Sequence, residues 1–413
     1  MNVVTNANDV FLQAVRVHGG APGPIARGAA MMHLAMHDAI VAITGTHQPY
    51  LPGPTAPNTA NKVAAARHAA HGVLVHLYPA QADIFDAELA TVTSSTPVTL
   101  RELAGRAVGV ASAAAMIAHR LNDGSGDTTP YVANMRPGSW RPAAGASPAT
   151  PNWGKVAPFS LGGQSPADWR ATFRPPLPAG ATTVPDLLKT PEYTAQFDEV
   201  KALGRATGST RNATQTEIAH FWANDLDGTS KPPGQLFSIT KSLAESEALS
   251  VEDTARLYAL VAVAMADAAV VAWDAKYDTV LDLWRPDNAI QQAFLDRNKD
   301  TVHDPFWQPL SVTYGGARFS PPFPAYVSGH ATFGAAHGRM MANFFGTDAK
   351  SFTATTEDPF YTGLPRSYTS FSDAAVENGR SRVYLGVHYQ WDADEGNAAG
   401  NSVADHVFAT LLT

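Results

Sequence analysis

The stretch Ala29-Ala30-Met31-Met32-His33-Leu34-Ala35-Met36-His37-Asp38-Ala39-Ile40-Val41-Ala42-Ile43 decides the fold class. Its apolar residues recur three and four apart, the spacing of one helix face, with none of the alternation of a half-buried strand. The pattern repeats over Asn61–Leu77 and Leu100–Leu121, the latter stopped by Asn122-Asp123-Gly124-Ser125-Gly126. It resumes near Pro191 and predicts helices over Thr214–Trp222, Ile239–Leu249, a long one capped by Ser250, Asp287–Leu295, His330–Phe345, Asp373–Arg380 and a last one through Leu411. Residues 123–189 are rich in Pro, Gly and Thr, yet their Trp140, Trp153, Trp169 and Phe173 want burial, so they read as irregular wrapping and not as a linker. The expected class is all-α: helical bundles in two four-helix-bundle-like halves, 1–195 and 196–413, forming one compact unit with long Pro/Gly-rich loops.

A chain of 413 residues with 45% hydrophobic and 16% charged residues can bury a large core. The net charge of −8 gives no support to nucleic-acid binding through overall charge. With no Cys, thiol catalysis, disulfides and Cys-ligated metals are excluded. The most apolar run, Tyr258–Trp273, is interrupted by Asp267 and reads as a buried helix, so no membrane span is expected. The start, Met1-Asn2-Val3-Val4-Thr5-Asn6, has neither a basic nor an apolar leader region. The chain therefore reads as soluble, either non-exported or of secreted or periplasmic origin with its leader removed. The apolar first helical residues leave a homodimer open.

Four short stretches carry chemistry. His33-x-x-x-His37-Asp38 has metal-ligand spacing on one helix face, but Leu34 stands where a metalloprotease helix has Glu, and the apolar neighbours favour core histidines. His68, His71 and His76, with no carboxylate close in sequence, read as solvent or packing residues. Pro321-Pro322-Phe323-Pro324-Ala325-Tyr326-Val327 is a stiff approach to Ser328-Gly329-His330, which opens a helix. A helix N-terminus offers free N–H groups, and Gly lets an anion come close, although Ser328 as an ordinary cap explains the same residues. Lys276 and Arg285-Pro286 flank a helix end, which solvation alone would account for. Ser381-Arg382-Val383-Tyr384-Leu385-Gly386-Val387-His388, followed by Asp392, puts a fixed cation beside an imidazole. No Gly-x-Ser-x-Gly elbow, P-loop or dinucleotide fingerprint is present.

Taken in order, Lys276…Arg285-Pro286, Ser328-Gly329-His330 and Ser381-Arg382-x5-His388 resemble the three motifs of the vanadium-dependent haloperoxidases and of their relatives, the type-2 phosphatidic acid phosphatases and bacterial acid phosphatases. Phe323-Pro324-Ala325-Tyr326 before the second motif, and Trp273 before Lys276, look like the haloperoxidase branch. Looser similarity runs through Phe221-Trp222-Ala223-Asn224-Asp225 and Pro232-Pro233-Gly234. The resemblance implies vanadate as cofactor, with phosphate or another oxyanion able to take the same cage. It implies that Lys276, Arg285, Ser328, Gly329 and Arg382 hold the oxyanion and that His388 binds the metal. His330 would then act as acid/base beside Lys276 and His388, Trp273 and Phe323 would form a halide pocket, and Asp225 would hold Arg382. The implied reaction is oxidation of chloride or bromide by hydrogen peroxide to a hypohalous acid equivalent that halogenates a small organic acceptor. The same cage suits phosphoryl transfer with His388 as nucleophile, so a soluble acid phosphatase is the second reading and a non-catalytic helical scaffold the third. Two departures stand out. Eight residues separate Lys276 from Arg285 where the family usually has six, and Val327 stands where a Pro usually precedes Ser-Gly-His.

Overall fold

Residues 2–94, 98–143 and 145–413 are described by the computed structural model, and they form fifteen α-helices and one two-stranded hairpin. In chain order these are α1 Val3–His18, α2 Pro22–Thr44, α3 Lys62–Leu77, α4 Ala82–Ser94, α5 Leu100–His119, α6 Pro166–Phe173, α7 Val184–Leu187, α8 Pro191–Leu203, α9 Ala213–Phe221, α10 Lys231–Ser246, α11 Val251–Tyr277, α12 Pro286–Gln291 and α13 Gly329–Phe345. The hairpin of β1 Phe352–Ala354 and β2 Arg366–Tyr368 precedes α14 Phe371–Tyr384 and α15 Gln390–Thr410. The all-α reading holds.

α11 is the axis of the molecule. Ser250 caps it, accepting the Asp253 N–H at 3.0 Å, and Glu252 and Asp253 complement the positive end of its dipole. Its residues are apolar all round, which only burial on every side accommodates. α2 packs on one side of it, and α13 and α15 on another. α11 is long and apolar enough to cross a membrane, but 94% of its apolar window is buried within the protein. Around it, α3 joins α2 and α5, while α14 joins α13 and α15. α13 and α15 approach closely, and a Cβ on Gly400 would stand 2.3 Å from the Thr332 carbonyl oxygen.

Carboxylates on α11 tie down the irregular segment between α5 and α8. Asp267 accepts the N–H of Phe159 at 2.7 Å, the N–H of Ser160 at 2.9 Å and the Ser160 hydroxyl at 2.6 Å. Asp274 takes the guanidinium of Arg174 at 2.6 and 2.8 Å. Trp140, Trp153, Trp169 and Phe173 are buried, as their size demands. His33 and His37 are core residues: His33 stacks on Tyr258 with ring centroids 4.6 Å apart, and no group of potential metal ligands exists among the described residues. His71 departs from its expected solvent or packing role, because Asp86 on α4 reaches it across the helix pair at 2.6 Å.

α10, α14 and α4 are among the helices that differ from the expected bounds. α10 begins at Lys231, well ahead of Ile239, because Pro232 and Pro233 sit in a first turn that needs no N–H. α14 runs past Arg380 to Tyr384, so Ser381 and Arg382 are helical. α4 lies in a stretch with weaker apolar spacing, and no helix was expected there. Gly400→Ala is expected to destabilise the fold by about 1–3 kcal/mol through overpacking. It should read as a lower urea midpoint at unchanged slope; an unshifted midpoint would refute the close α13–α15 contact.

Candidate active site

The three motifs converge because five helix ends meet. α14 finishes with Arg382 in its last turn, and Gly386 at φ +82° reverses the chain. Gly386 is required there on two counts, since a Cβ would also strike the Gly204 carbonyl oxygen at 2.4 Å. Val387 and His388 follow, and α15 starts with Asp392 in its first turn. The five-residue gap between Arg382 and His388 is thus a helix end, a glycine turn and a helix start. Ser328 caps α13, and its own N–H donates to the Asp392 carbonyl at 2.8 Å, which sets the starts of α13 and α15 side by side. Arg285 is the residue before Pro286 at the start of α12. Lys276 lies in the last turn of α11. The two extra residues between Lys276 and Arg285 fall in the loop after α11, which bends at Asp282 with φ +28° and is held by Trp140 N–H on the Asp282 carbonyl at 2.6 Å.

His388 is fixed at both ring nitrogens. Its Nδ1 lies 2.8 Å from Asp392 Oδ2, and its Nε2 lies 2.9 Å from Arg285 NH1. A guanidinium only donates, so Nε2 must be the acceptor and Nδ1 carries the proton to Asp392. Arg285 also donates to the carbonyls of Phe323 at 2.8 Å and Val387 at 2.7 Å. Arg382 NH2 donates to Asp225 Oδ2 at 2.7 Å. This leaves Arg285 NH2, Arg382 Nε and Arg382 NH1 buried without a partner among the described residues. His330 faces two acceptors, the Ala223 carbonyl 3.0 Å from its Nε2 and Asp225 Oδ1 at 3.7 Å, so Nε2 carries its proton. Trp273 and Phe323 stand together, ring centroids 5.2 Å apart, and the Lys276 ammonium lies 4.9 Å from the Phe323 centroid.

Lys276 differs from the expectation of a direct anion donor. Its ammonium donates to the carbonyls of Pro324 and Ala325, both at 3.0 Å, and of Val327. All three N–H groups are thereby engaged by the segment leading to Ser328. The cause is local: these carbonyls accept no backbone N–H outside the helices among the described residues, and a buried ammonium takes them.

Residues 256–413 match the family model of the VCPO second helical-bundle domain. The vanadium chloroperoxidase of Curvularia inaequalis is 29% identical over 265 residues, which are 51% of this chain and 42% of that relative's length. The solved structure of a bacterial vanadium-dependent iodoperoxidase superposes with a TM-score of 0.82 at 26% identity, covering 99% of this chain and 96% of the other. Residues 256–413 are thus similar to a VCPO helical-bundle domain, and the whole chain shares the fold of the bacterial iodoperoxidase. The fold is also that of the holo-type bacterial vanadium-dependent chloroperoxidase, with a TM-score of 0.74 at 18% identity over 96% of this chain and 93% of that one.

In this haloperoxidase fold, burial dominates the electrostatics. Burial holds the His388 imidazole well below its ordinary value, with Arg285, Lys276 and Arg382 pushing the same way. Burial pushes His330 down to about 4; Arg382 adds to the shift and Asp225 opposes it. Both rings are therefore neutral at neutral pH. Burial would raise Asp225, but Arg382 and His330 hold it below the ordinary carboxylate range. Burial pushes Lys276 down and Asp392 up, each resisted by the other's charge. A cavity of about 440 Å³ opens onto Gly329, His330, Arg382, His388, Trp273 and Phe323.

The sequence reading missed the role of Asp392, although a carboxylate four residues after a His at a helix start was a signal for it. It also missed Lys231, whose ammonium holds the Asp225 carbonyl and Asp227 Oδ1, both at 2.7 Å, and so braces the loop carrying Asp225. Only the tertiary contact reveals this. Asp225→Asn removes a charge that raises His330, so the His330 midpoint should fall below about 4 in a ring-resolved NMR titration. An unchanged or higher midpoint would overturn the assigned coupling.

Proposed function

We propose that this chain binds vanadate between Arg285, Arg382 and His388 and oxidises halide with hydrogen peroxide. The observation that carries the reading is the set of buried guanidinium nitrogens without partners around the His388 Nε2 lone pair. Unpartnered buried cationic donors are costly, and a small oxyanion satisfies them together. A neutral imidazole whose far nitrogen is anchored on a carboxylate is the form that ligates a metal. The residues present therefore fit an oxyanion whose central atom accepts a nitrogen ligand. The names of the relatives, haloperoxidases of bacterial and Curvularia origin, favour vanadate as that group and peroxide and halide as substrates.

Vanadate, when bound, supplies a Lewis-acidic centre that activates peroxide. The protein's part follows from its geometry. Arg285 and Arg382 neutralise the anion with forked donors, and Asp225 aims Arg382. The Gly329 N–H, in the first turn of α13, faces the same cavity. Ser328 is committed to its cap, and its hydroxyl can also donate, because the cap uses only a lone pair. Lys276 holds the 324–327 carbonyls and adds positive charge, which makes it a positioning residue. His330, neutral with Nε2–H tied to Ala223, has Nδ1 left to take a proton from peroxide and return it. The net change is a two-electron oxidation of halide: the O–O bond breaks, one proton is consumed, and hypohalous acid and water form. Trp273 and Phe323 give the halide an apolar, aromatic approach, and we assign chloride and bromide as the halides oxidised.

Orthovanadate should restore halogenation of a dione by peroxide and bromide or chloride to vanadate-free protein. His388→Ala should abolish vanadate retention measured by calorimetry. His330→Ala should retain vanadate and lose about 10²–10⁴-fold in turnover. Cleavage of a phosphomonoester with no halogenation at any pH would sink the proposal in favour of a phosphatase.

A further inference from the structure

A second cavity of about 440 Å³ shares a wall with the first and lies between residues 139–143 and Ala146 of the irregular segment, the start of α12 and residues 318–322. Phe319, Pro321 and Pro322 face both cavities. The lining of this lateral cavity combines flat apolar surface with uncompensated positive charge. Trp140 and Trp284, both buried, and Phe319 supply the aromatic surface. Arg141, Arg285 and Arg318 supply three guanidiniums. Arg141 has no hydrogen-bond or ion-pair partner among the described residues. Among the described residues the Arg318 guanidinium donates only to the Leu310 carbonyl and has no carboxylate within 4 Å. Among the described lining residues the one acid is Asp287, set against three guanidiniums; burial pushes it up, opposed by hydrogen bonds from Ser320 and Asn288 and by Arg285. Half-buried cations beside aromatic walls are a recognition surface for a planar anion: guanidinium forks match a carboxylate, and rings stack on Trp. The volume lies in the range of small-molecule sites.

We propose that the lateral cavity is a binding site for a small aromatic carboxylate, with the carboxylate on Arg141 and Arg318 and the ring between Trp140 and Phe319. The assignment stands on these side chains alone and does not depend on halide oxidation. Arg285 lines the lateral cavity and donates to His388, which lines the first, so an oxyanion beside His388 lowers the positive potential here without occupying the same space.

The test is calorimetric binding of 4-hydroxybenzoate to the full chain, with and without orthovanadate. The wild-type protein should bind it, and Arg141→Met should weaken binding by about tenfold or more, the worth of a hydrogen bond to a charged group. Arg141→Lys should recover part of the loss. The neutral 4-hydroxybenzamide should bind as poorly to wild type as the carboxylate does to Arg141→Met. Rising orthovanadate should weaken carboxylate binding a few-fold and then level off. Three results would each overturn the assignment: no binding at millimolar probe, equal affinity in Arg141→Met, or an apparent Kd that climbs without limit as orthovanadate is added. The last would place the carboxylate in the His388 cage. A chain that fails to halogenate but passes this test would lose the proposed function and keep the lateral site.

Discussion

Positive charge buried with too little negative charge is the constraint on which this structure turns. Arg285, Arg382 and Lys276 are fully buried within one small volume. The carboxylates beside them are Asp225, bound to Arg382, Asp392, bound to the imidazole of His388, and Asp287 near Arg285, the last two pushed up by burial. Such an arrangement is unfavourable in a low-dielectric interior unless rigid elements impose it and other donors and acceptors share the burden. The backbone does much of this sharing. Carbonyls of Phe323, Pro324, Ala325, Val327 and Val387 accept from Arg285 and Lys276, so one extended, proline-stiffened segment solvates two cations. The donors left unsatisfied on these cations are three guanidinium nitrogens, and that localisation makes the region a site instead of a strained core.

The scaffold that imposes this is helical, and its precision comes from helix ends. α13 and α15 begin side by side, linked by the Ser328 N–H on the Asp392 carbonyl, and the turn at Gly386 delivers His388 between them. α11 supplies Lys276 from its last turn and also carries Asp267 and Asp274, which anchor the irregular segment. That segment closes the molecule over α11 and lines the lateral cavity. One helix therefore ties the core, the cation cluster and the outer wall together. A change in its register would disturb all three.

The segments flanking the site are held locally. The loop between α11 and Arg285 is steadied by the backbone hydrogen bond from Trp140 to Asp282. Val327 in place of Pro keeps the approach to Ser328, because Lys276 grips the carbonyls on either side of Tyr326. The loop of Asp225 is braced by Lys231, at the start of α10.

By itself the sequence determined the fold class, since apolar spacing at three and four residues admits only helices that share a core, as Ala29–Ile43 and the α11 run demonstrate. It also determined which residues carry charge and imidazole near the glycines of the site, because Ser328-Gly329-His330 and Arg382-x5-His388 are local patterns whose spacing is set by helix starts and ends. Only the tertiary structure decided how those groups are spent. Whether Lys276 meets an anion or three carbonyls depends on a segment about fifty residues away. The tautomer of His388 depends on Arg285, far off in sequence, as much as on nearby Asp392. Lys231, Arg141 and Arg318 carried no motif at all, because the worth of a lone cation depends on partners that the chain brings to it, or withholds, only on folding.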